Sequence, residues 1–288
     1  MAKTILDHAE VDRLIALALE EDGVENDLTS LATGLESRSD KIVRASIVAK
    51  KSTIAAGYPI LEKILKLARA DQSLRVSSLA AEGASLAANT QWIIFEGRAI
   101  DLLRLERTIL NFLMRMSGIA TATNAAVAAV QGTHCKILHT RKTAPGHRRT
   151  DVYAALAAGA HPHRRSLDDA ILVKENHLRA ANSFQELIEG IQKLRDKASF
   201  VEIEVTDFTE LKHALMAKPD RIMLDNFSAR DVERAVNLFG SSVQLEASGS
   251  INLSNVRQYA ETGVDFISMG YLTHSAPSAD LSMLFDIP

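Results

Sequence analysis

From Cys135 onward the chain repeats one pattern: a short strand rich in Ile, Val and Leu, then a helix, at regular intervals. The strand segments are "CKILHT", "AILVKE", "FVEIEV", "RIMLDN", "VQLEAS" and "DFISMG". The helical segments are "TDVYAALAAGA", "SFQELIEGIQKLRDK", "FTELKHALMA", "ARDVERAVNLF" and "LSNVRQYAETG". Parallel strands need a crossover between them and are covered on their faces, which explains both the helices and the apolar runs. The pattern predicts parallel β/α units arranged as a barrel, closed or partly open. A doubly wound sheet is the other arrangement such units form. No GxGxxG follows a strand, which disfavours its dinucleotide-binding version.

Upstream the order is irregular. "AEVDRLIALALEED" and "YPILEKILKLARAD" space apolar residues as helices do, and Pro59 is tolerated in a first turn. "KIVRASIVAKKSTIAAG", "SLRVSSLAAEGASL" and "TQWIIFEGRA" read as strands, and Asp27 to Asp40 as polar and irregular. The mixture predicts an α+β domain. "IDLLRLERTILNFLMRMSGIATATNAAVAAVQ" is helical, with Ser117-Gly118 as a break. Leu103, Leu110 and Leu113 would anchor this helix and leave Arg107 to project.

A β/α barrel builds its active site at the C-terminal ends of its strands. Those ends hold Thr140, Arg141 and Lys142, then Lys174, then Glu202 and Glu204, then Asp225, then Glu246, Ser248 and Gly249, then Gly270. They divide into a cationic half and an acidic half. Thr140 to Arg165 holds six Lys or Arg, three His and one acid. The 288-residue chain has a net charge of −3. The basic cluster is therefore local and suits a small anion rather than nucleic acid.

Arg forks grip carboxylate or phosphate with two bonds, and Lys adds a point charge. Solvated loops are the other reading of Arg148, Arg149 and Arg165. Glu204 and Asp225 suit Mg²⁺, which takes few protein carboxylates and completes its shell with water and phosphate oxygens. A helix cap or an ion pair with a nearby Lys is the alternative. Gly249 and Gly270 let backbone approach a phosphate, or are ordinary turn glycines. His163 reads as a hydrogen-bond donor to an anion rather than as a metal ligand with His161 and His177. Lys174 reads as a charged lysine rather than a Schiff-base one.

Cys135 is the only cysteine. An intramolecular disulfide and a Cys-based zinc site are thereby excluded, and the usage fits a reducing compartment. The N-terminal segment lacks a signal-peptide core, and no uncharged apolar run reaches transmembrane length. The expectation is a soluble cytoplasmic protein with neither nucleic-acid nor membrane partner.

The segments "LERTILNFLMRMSGIATAT", "HTRKTAPGHR", "HRRSLDDAILVKENH", "VEIEV", "IMLDNFS", "EASGSINLSNV" and "YAETGVDFISMGYLTHS" come in the order found in one family and span most of the chain. In them the chain resembles the quinolinate phosphoribosyltransferases, the carboxylating nicotinate-nucleotide pyrophosphorylases of NAD synthesis. The resemblance implies an α/β protein with an N-terminal open α/β sandwich domain, 1–114, on which the tail 275–288 packs. It implies a C-terminal open α/β barrel over 115–274. The implied reaction joins quinolinate and phosphoribosyl pyrophosphate, giving nicotinate mononucleotide, pyrophosphate and CO₂, with Mg²⁺. The implied assembly is a homodimer with shared active sites, or a hexamer of such dimers.

Carried over by position, the resemblance implies quinolinate contacts from Arg141, Lys142, His163, Arg164 and Lys174, with Arg107 contributed across the dimer and Thr140 among the substrate-binding residues. Glu204 and Asp225 would face the ribose and hold Mg²⁺-pyrophosphate, directly or through water, and with Lys142 would be catalytic. Ser248, Gly249 and Gly270 would surround the 5′-phosphate. The chain departs from the family at Val152, Ala158, Ala160, Pro162 and Ser166, around the substrate loop. These changes leave room for a paralogous phosphoribosyltransferase, of the type encoded with molybdate transporters, acting on another acid. A catalytically silent binding protein of the same fold is the remaining alternative, and retention of Arg141, Lys142, Lys174, Glu204 and Asp225 argues against it.

Overall fold

The computed structural model describes residues 5–34, 41–181 and 183–286. It divides into two compact units, one of residues 1–124, 143–159 and 275–288, the other of residues 125–142 and 160–274.

The first unit begins with helices α1 (Ala9–Glu21) and α2 (Leu28–Ala32), followed by strands β1 (Ile42–Ala49) and β2 (Thr53–Ile54) and helix α3 (Tyr58–Leu67). Strands β3 (Leu74–Ser78), β4 (Ser85–Leu86) and β5 (Thr90–Arg98) lead into the long helix α4 (Ala99–Ala129). Val11, Ile15 and Leu19 form the buried stripe of α1, and Ile60, Leu61, Ile64 and Leu65 that of α3. Both are the i, i+3/i+4 spacing read from the sequence. The Glu82 carboxylate accepts from the amides of Gly57 and Tyr58, which satisfies donors that a helix start leaves unpaired. Asp27 was expected to open an irregular stretch. Instead its side chain caps α2 by accepting from the Thr29 amide, and residues 35–40 lie outside the described residues.

Helix α4 corrects the expected break at Ser117-Gly118, for it runs unbroken through both. Ser117 is buried, and its hydroxyl bonds to the backbone of Ala56. A Cβ on Gly118 would stand 2.2 Å from the Pro277 carbonyl oxygen. This glycine therefore serves close approach, not a bend. Leu110 and Leu113 anchor the helix as expected, but Leu103 is 38% exposed.

Strand β12 (Leu281–Phe285) pairs antiparallel with β1 and completes a sheet of order β12-β1-β5-β3. Trp92, Ile93 and Phe95 put the bulk of β5 into the core. Helix α5 (Arg148–Ala157) also belongs to this unit. Its Asp151 is fully buried and takes two bonds from Arg115 of α4, the two-pronged geometry that makes a buried carboxylate tolerable.

The second unit is one parallel sheet. Its strands are β6 (Lys136–Leu138), β7 (Ile171–Val173), β8 (Val201–Val205), β9 (Arg221–Asp225), β10 (Gln244–Ser248) and β11 (Phe266–Ser268). They lie in the order β6-β11-β10-β9-β8-β7. Beyond β6, His161 makes a single parallel bridge to Leu138, its amide donating to Ile137. The β/α repeat thus forms an open barrel with its seam between residue 161 and β7. Helices α7 (Phe184–Leu194), α8 (Phe208–Met216), α9 (Ala229–Phe239) and α10 (Val256–Ala260) fill the intervals after β7, β8, β9 and β10. Short helices α6 (Glu175–Ala180) and α11 (Tyr271–His274), not expected from periodicity, follow β7 and β11 directly.

The register sorts the strand residues into two faces. Val173, Ile203, Val205, Ile222, Leu224, Leu245, Ala247 and Ile267 share one face and are all buried. Lys174, Glu202, Glu204, Arg221, Asp225, Glu246, Ser248 and Ser268 alternate with them onto the other. An apolar exterior under helices and a charged interior follow from that alternation alone.

Candidate active site

The charged face opens into a cavity of about 810 Å³ at the C-terminal ends of the strands. Its lining includes Thr140, Arg141, Lys142, His163, Arg164, Lys174, Glu204, Asp225, Ser248, Gly249 and Gly270. Of the residues that the family resemblance assigns to substrate, phosphate or metal, all but Arg107 are there, whereas Arg149 pairs with Glu10 and Arg165 with Asp169. Arg107 is exposed on α4, and its side chain makes no hydrogen bond or ion pair with another described residue.

Each side chain is aimed by its element. Thr140 accepts from the Lys142 amide, and Thr273 donates to the Lys142 carbonyl, so the turn after β6 is held at both ends. A Cβ on Gly270 would meet the Lys142 Cδ at 3.0 Å; the missing side chain gives the lysine stem its path. Arg164 donates to the Ala170 carbonyl. Burial, and then the neighbouring Arg141, hold the Arg164 guanidinium below its ordinary pKa. Such crowded, partly desolvated cations gain most from an anion. Lys174 forms an ion pair with Glu204, in keeping with a charged lysine. The pair also links the cationic and acidic halves, which the sequence treats as separate.

His163 departs from expectation. Its Nδ1 accepts from the Arg164 amide at 2.7 Å, and its Nε2 faces Glu202 at 3.1 Å and Glu246 at 3.5 Å. Burial opposes charging of this ring, but hydrogen bonding to the two acids raises its pKa, to about 9. With Nδ1 facing the Arg164 amide, Nε2 is the nitrogen placed to donate to the acids. Both nitrogens are engaged within the protein, and in this conformation neither serves as donor to a bound anion. Beside it, burial lowers the His139 pKa to about 4; this neutral ring accepts from the His163 amide.

Glu202, Arg221 and Glu246 form a layer beneath the cavity; the two acids are named above at the strand ends without a substrate role, and Arg221 is not named there. Arg221 lies 3.0 Å from Glu246, and its guanidinium stacks 3.9 Å from the Phe266 ring centre. Burial and the nearby Glu246 push the Glu202 carboxyl up, whereas His163 and Arg221 outweigh burial and hold Glu246 down. The alternation in "VEIEV" and "RIMLD" was the available signal: it places Glu202 and Arg221 on the same face as Glu204 and Asp225.

Among the described residues, His163, Glu202 and Glu246 offer ligand atoms within 4.8 Å of one another, a set able to hold a divalent cation. Arg221 already neutralises the same Glu246 oxygen that faces His163. The acids at the cavity itself, Glu204 and Asp225, provide oxygen donors only, as a hard cation prefers.

The departures from the family leave the loop anchored. Val152, Ala158 and Ala160 are buried, Ser166 bonds to Asp168, and His161 on the near side of Pro162 keeps its bridge to β6.

Fold and cavity together define an α/β-barrel protein with clustered cations and two acids at the C-terminal ends of its strands. Family models match both parts of the chain, the quinolinate phosphoribosyl transferase N-terminal domain over residues 27–117 and its C-terminal domain over residues 119–284. The chain belongs to the quinolinate phosphoribosyltransferase family. A Synechocystis protein described as a probable carboxylating nicotinate-nucleotide pyrophosphorylase is 35% identical over 276 residues, 95% of this chain and 92% of that protein. The carboxylating nicotinate-nucleotide pyrophosphorylase of Mycobacterium leprae is 35% identical over 89% of this chain and 90% of its own. The solved structure of the nicotinate-nucleotide pyrophosphorylase from Francisella tularensis superposes with a TM-score of 0.87 at 34% identity, covering 96% of each chain. No described helix is long and apolar enough to cross a membrane.

Proposed function

We propose that this protein transfers the phosphoribosyl group of phosphoribosyl pyrophosphate to the ring nitrogen of quinolinate, with loss of CO₂. The products are nicotinate mononucleotide and pyrophosphate. The observation that carries this reading is the single cavity in which Arg141, Lys142, Arg164 and Lys174 meet Glu204 and Asp225. The cations gather two carboxylates and several phosphate oxygens that would otherwise repel one another. Ser248, Gly249 and Gly270 cradle the 5′-phosphate with backbone amides. Glu204 and Asp225 favour positive charge on the ribose as its C1 loses pyrophosphate.

Forming the C1–N bond makes the ring a cation. The electron pair of the breaking C–CO₂ bond then has somewhere to go, and the ring takes up a proton at that carbon. Lys142 and Lys174 hold the substrate carboxylates, and the chain's main contribution is alignment of the reacting atoms.

Glu204 and Asp225 fit Mg²⁺ by their donor type. When bound, that ion supplies charge neutralisation of the pyrophosphate. In this reading the sandwich domain spans 1–114 with the tail 275–288 upon it, supported by the pairing of β12 with β1, and the barrel spans 115–274, with residues 143–159 lent to the first compact unit. The protein works in the cytoplasm as a homodimer, or as a hexamer of dimers, in which Arg107 completes the neighbouring site. Its exposure without a partner among the described residues supports that role.

The test is incubation with quinolinate, phosphoribosyl pyrophosphate and Mg²⁺, following nicotinate mononucleotide and CO₂. Both should appear in equal amounts. Nicotinic acid in place of quinolinate should give no product. Activity with another acid alone would favour the paralogous transferase, to which the substitutions at Ala158, Ala160 and Pro162 point.

A further inference from the structure

We propose that Asn226 is a positioning residue for this transfer, locking the Asp225 carboxylate and the Ser248–Gly249 loop into one rigid corner. The proposal rests on the transfer reading above. Asn226 follows the last residue of β9 and has φ +57°, the left-handed region that Asn tolerates better than most side chains. It is exposed, so burial does not account for a strained backbone at this point.

Three contacts do. The Asn226 amide N–H donates to the Ser248 carbonyl at 2.8 Å, extending the β9–β10 ladder by one bond past the Ser248–Asp225 pair. The side-chain Nδ2 donates to Asp225 Oδ2 at 2.9 Å, which fixes the carboxylate rotamer. The same amide group lies against Gly249, where a Cβ would stand 2.2 Å from Oδ1 and 2.6 Å from Cγ. Gly249 and Ser250 are themselves left-handed, at φ +93° and +53°, and the Ser250 carbonyl is held by the Asn255 side chain. The corner is therefore a run of positive-φ residues folded around one side chain. That side chain reads the ribose-facing acid on one flank and the phosphate loop on the other. A turn-former alone would need the backbone conformation and not the amide.

Asn226→Gly separates the two roles, because glycine adopts the left-handed turn freely and lacks the amide. The thermal midpoint and the quinolinate Kd by calorimetry should match wild type. The KM for phosphoribosyl pyrophosphate should rise and kcat should fall, together by at least tenfold in kcat/KM. Binding of magnesium pyrophosphate, measured by calorimetry without turnover, should weaken. Asn226→Asp keeps the shape but sets an acid against Asp225, and should be worse than glycine in kcat. Wild-type kinetics and wild-type pyrophosphate affinity in Asn226→Gly would overturn the proposal. A loss of stability or of quinolinate affinity in step with activity would overturn it as well, making the residue a fold element. A wild-type protein that makes no nicotinate mononucleotide would instead overturn the transfer reading.

Discussion

Arg141 and Lys142 show how much a single side chain can decide. Both stand at the end of β6 and line the cavity. Replacing either with Ala removes a charge-assisted bond, about 1.5–3 kcal/mol, or roughly 10- to 150-fold in quinolinate Kd by isothermal titration. Near-unchanged affinity in both variants would put the acid elsewhere. Asp225→Asn should behave differently, impairing turnover far more than quinolinate binding in steady-state kinetics at varied Mg²⁺. Equal losses would show that the Lys174–Glu204 pair couples the two halves tightly. His139 offers a test by pH. Its folded-state pKa, about 4, lies below the ordinary value, so the unfolded chain takes up a proton first as the solution is acidified. Its stabilising contribution is full above about pH 6.5 and is lost as pH falls from there toward 4, roughly 3 kcal/mol in all. His139→Gln keeps an acceptor for the His163 amide and should flatten that part of the denaturation profile. An unchanged slope would mean that other groups carry the acid sensitivity. The residues of the cavity are legible from the strand ends, but what His163 faces is not. The acids that engage its Nε2 come from strands 39 and 83 residues further on, and no local pattern records the pairing.

Helix α4 carries the lesson at the scale of elements. Ser-Gly inside a helical run ordinarily marks a weak point, because glycine costs about 1 kcal/mol against alanine. Here the tail lies so close that a Cβ on Gly118 would strike the Pro277 carbonyl. Propensity and packing make opposite predictions for Gly118→Ala. Propensity alone predicts a gain of about 1 kcal/mol, whereas the steric conflict predicts a net loss of about 1–3 kcal/mol. Urea denaturation should show the loss; a higher midpoint would mean the tail does not press on the helix. The strands were the most legible elements, since their apolar residues and their alternation both follow from local geometry. Helix α2 was missed for the opposite reason: one turn capped by Asp27 leaves almost no periodicity to read.

For the whole molecule the question is whether a site needs two chains. An Arg107→Ala chain and a Lys142→Ala chain should each be nearly inactive alone. Refolded together, random pairing should give heterodimers with one intact site, and activity should return toward about a quarter of wild type. Absence of recovery, with heterodimers seen by mass spectrometry, would assign Arg107 to its own chain or to no site.

Local spacing alone encodes the parallel β/α repeat, the face each strand residue takes, and the gathering of cations and acids at one end of the barrel. Period-two geometry and the parallel topology leave little else for such a chain to do. Long-range packing sets where the barrel stays open, why α4 does not bend at Gly118, and how Asn226 ties Asp225 to Gly249. It also turns both His163 nitrogens inward. Each of these depends on contacts between residues far apart in the chain, where the close approach of a backbone or a buried counter-charge overrides local preference.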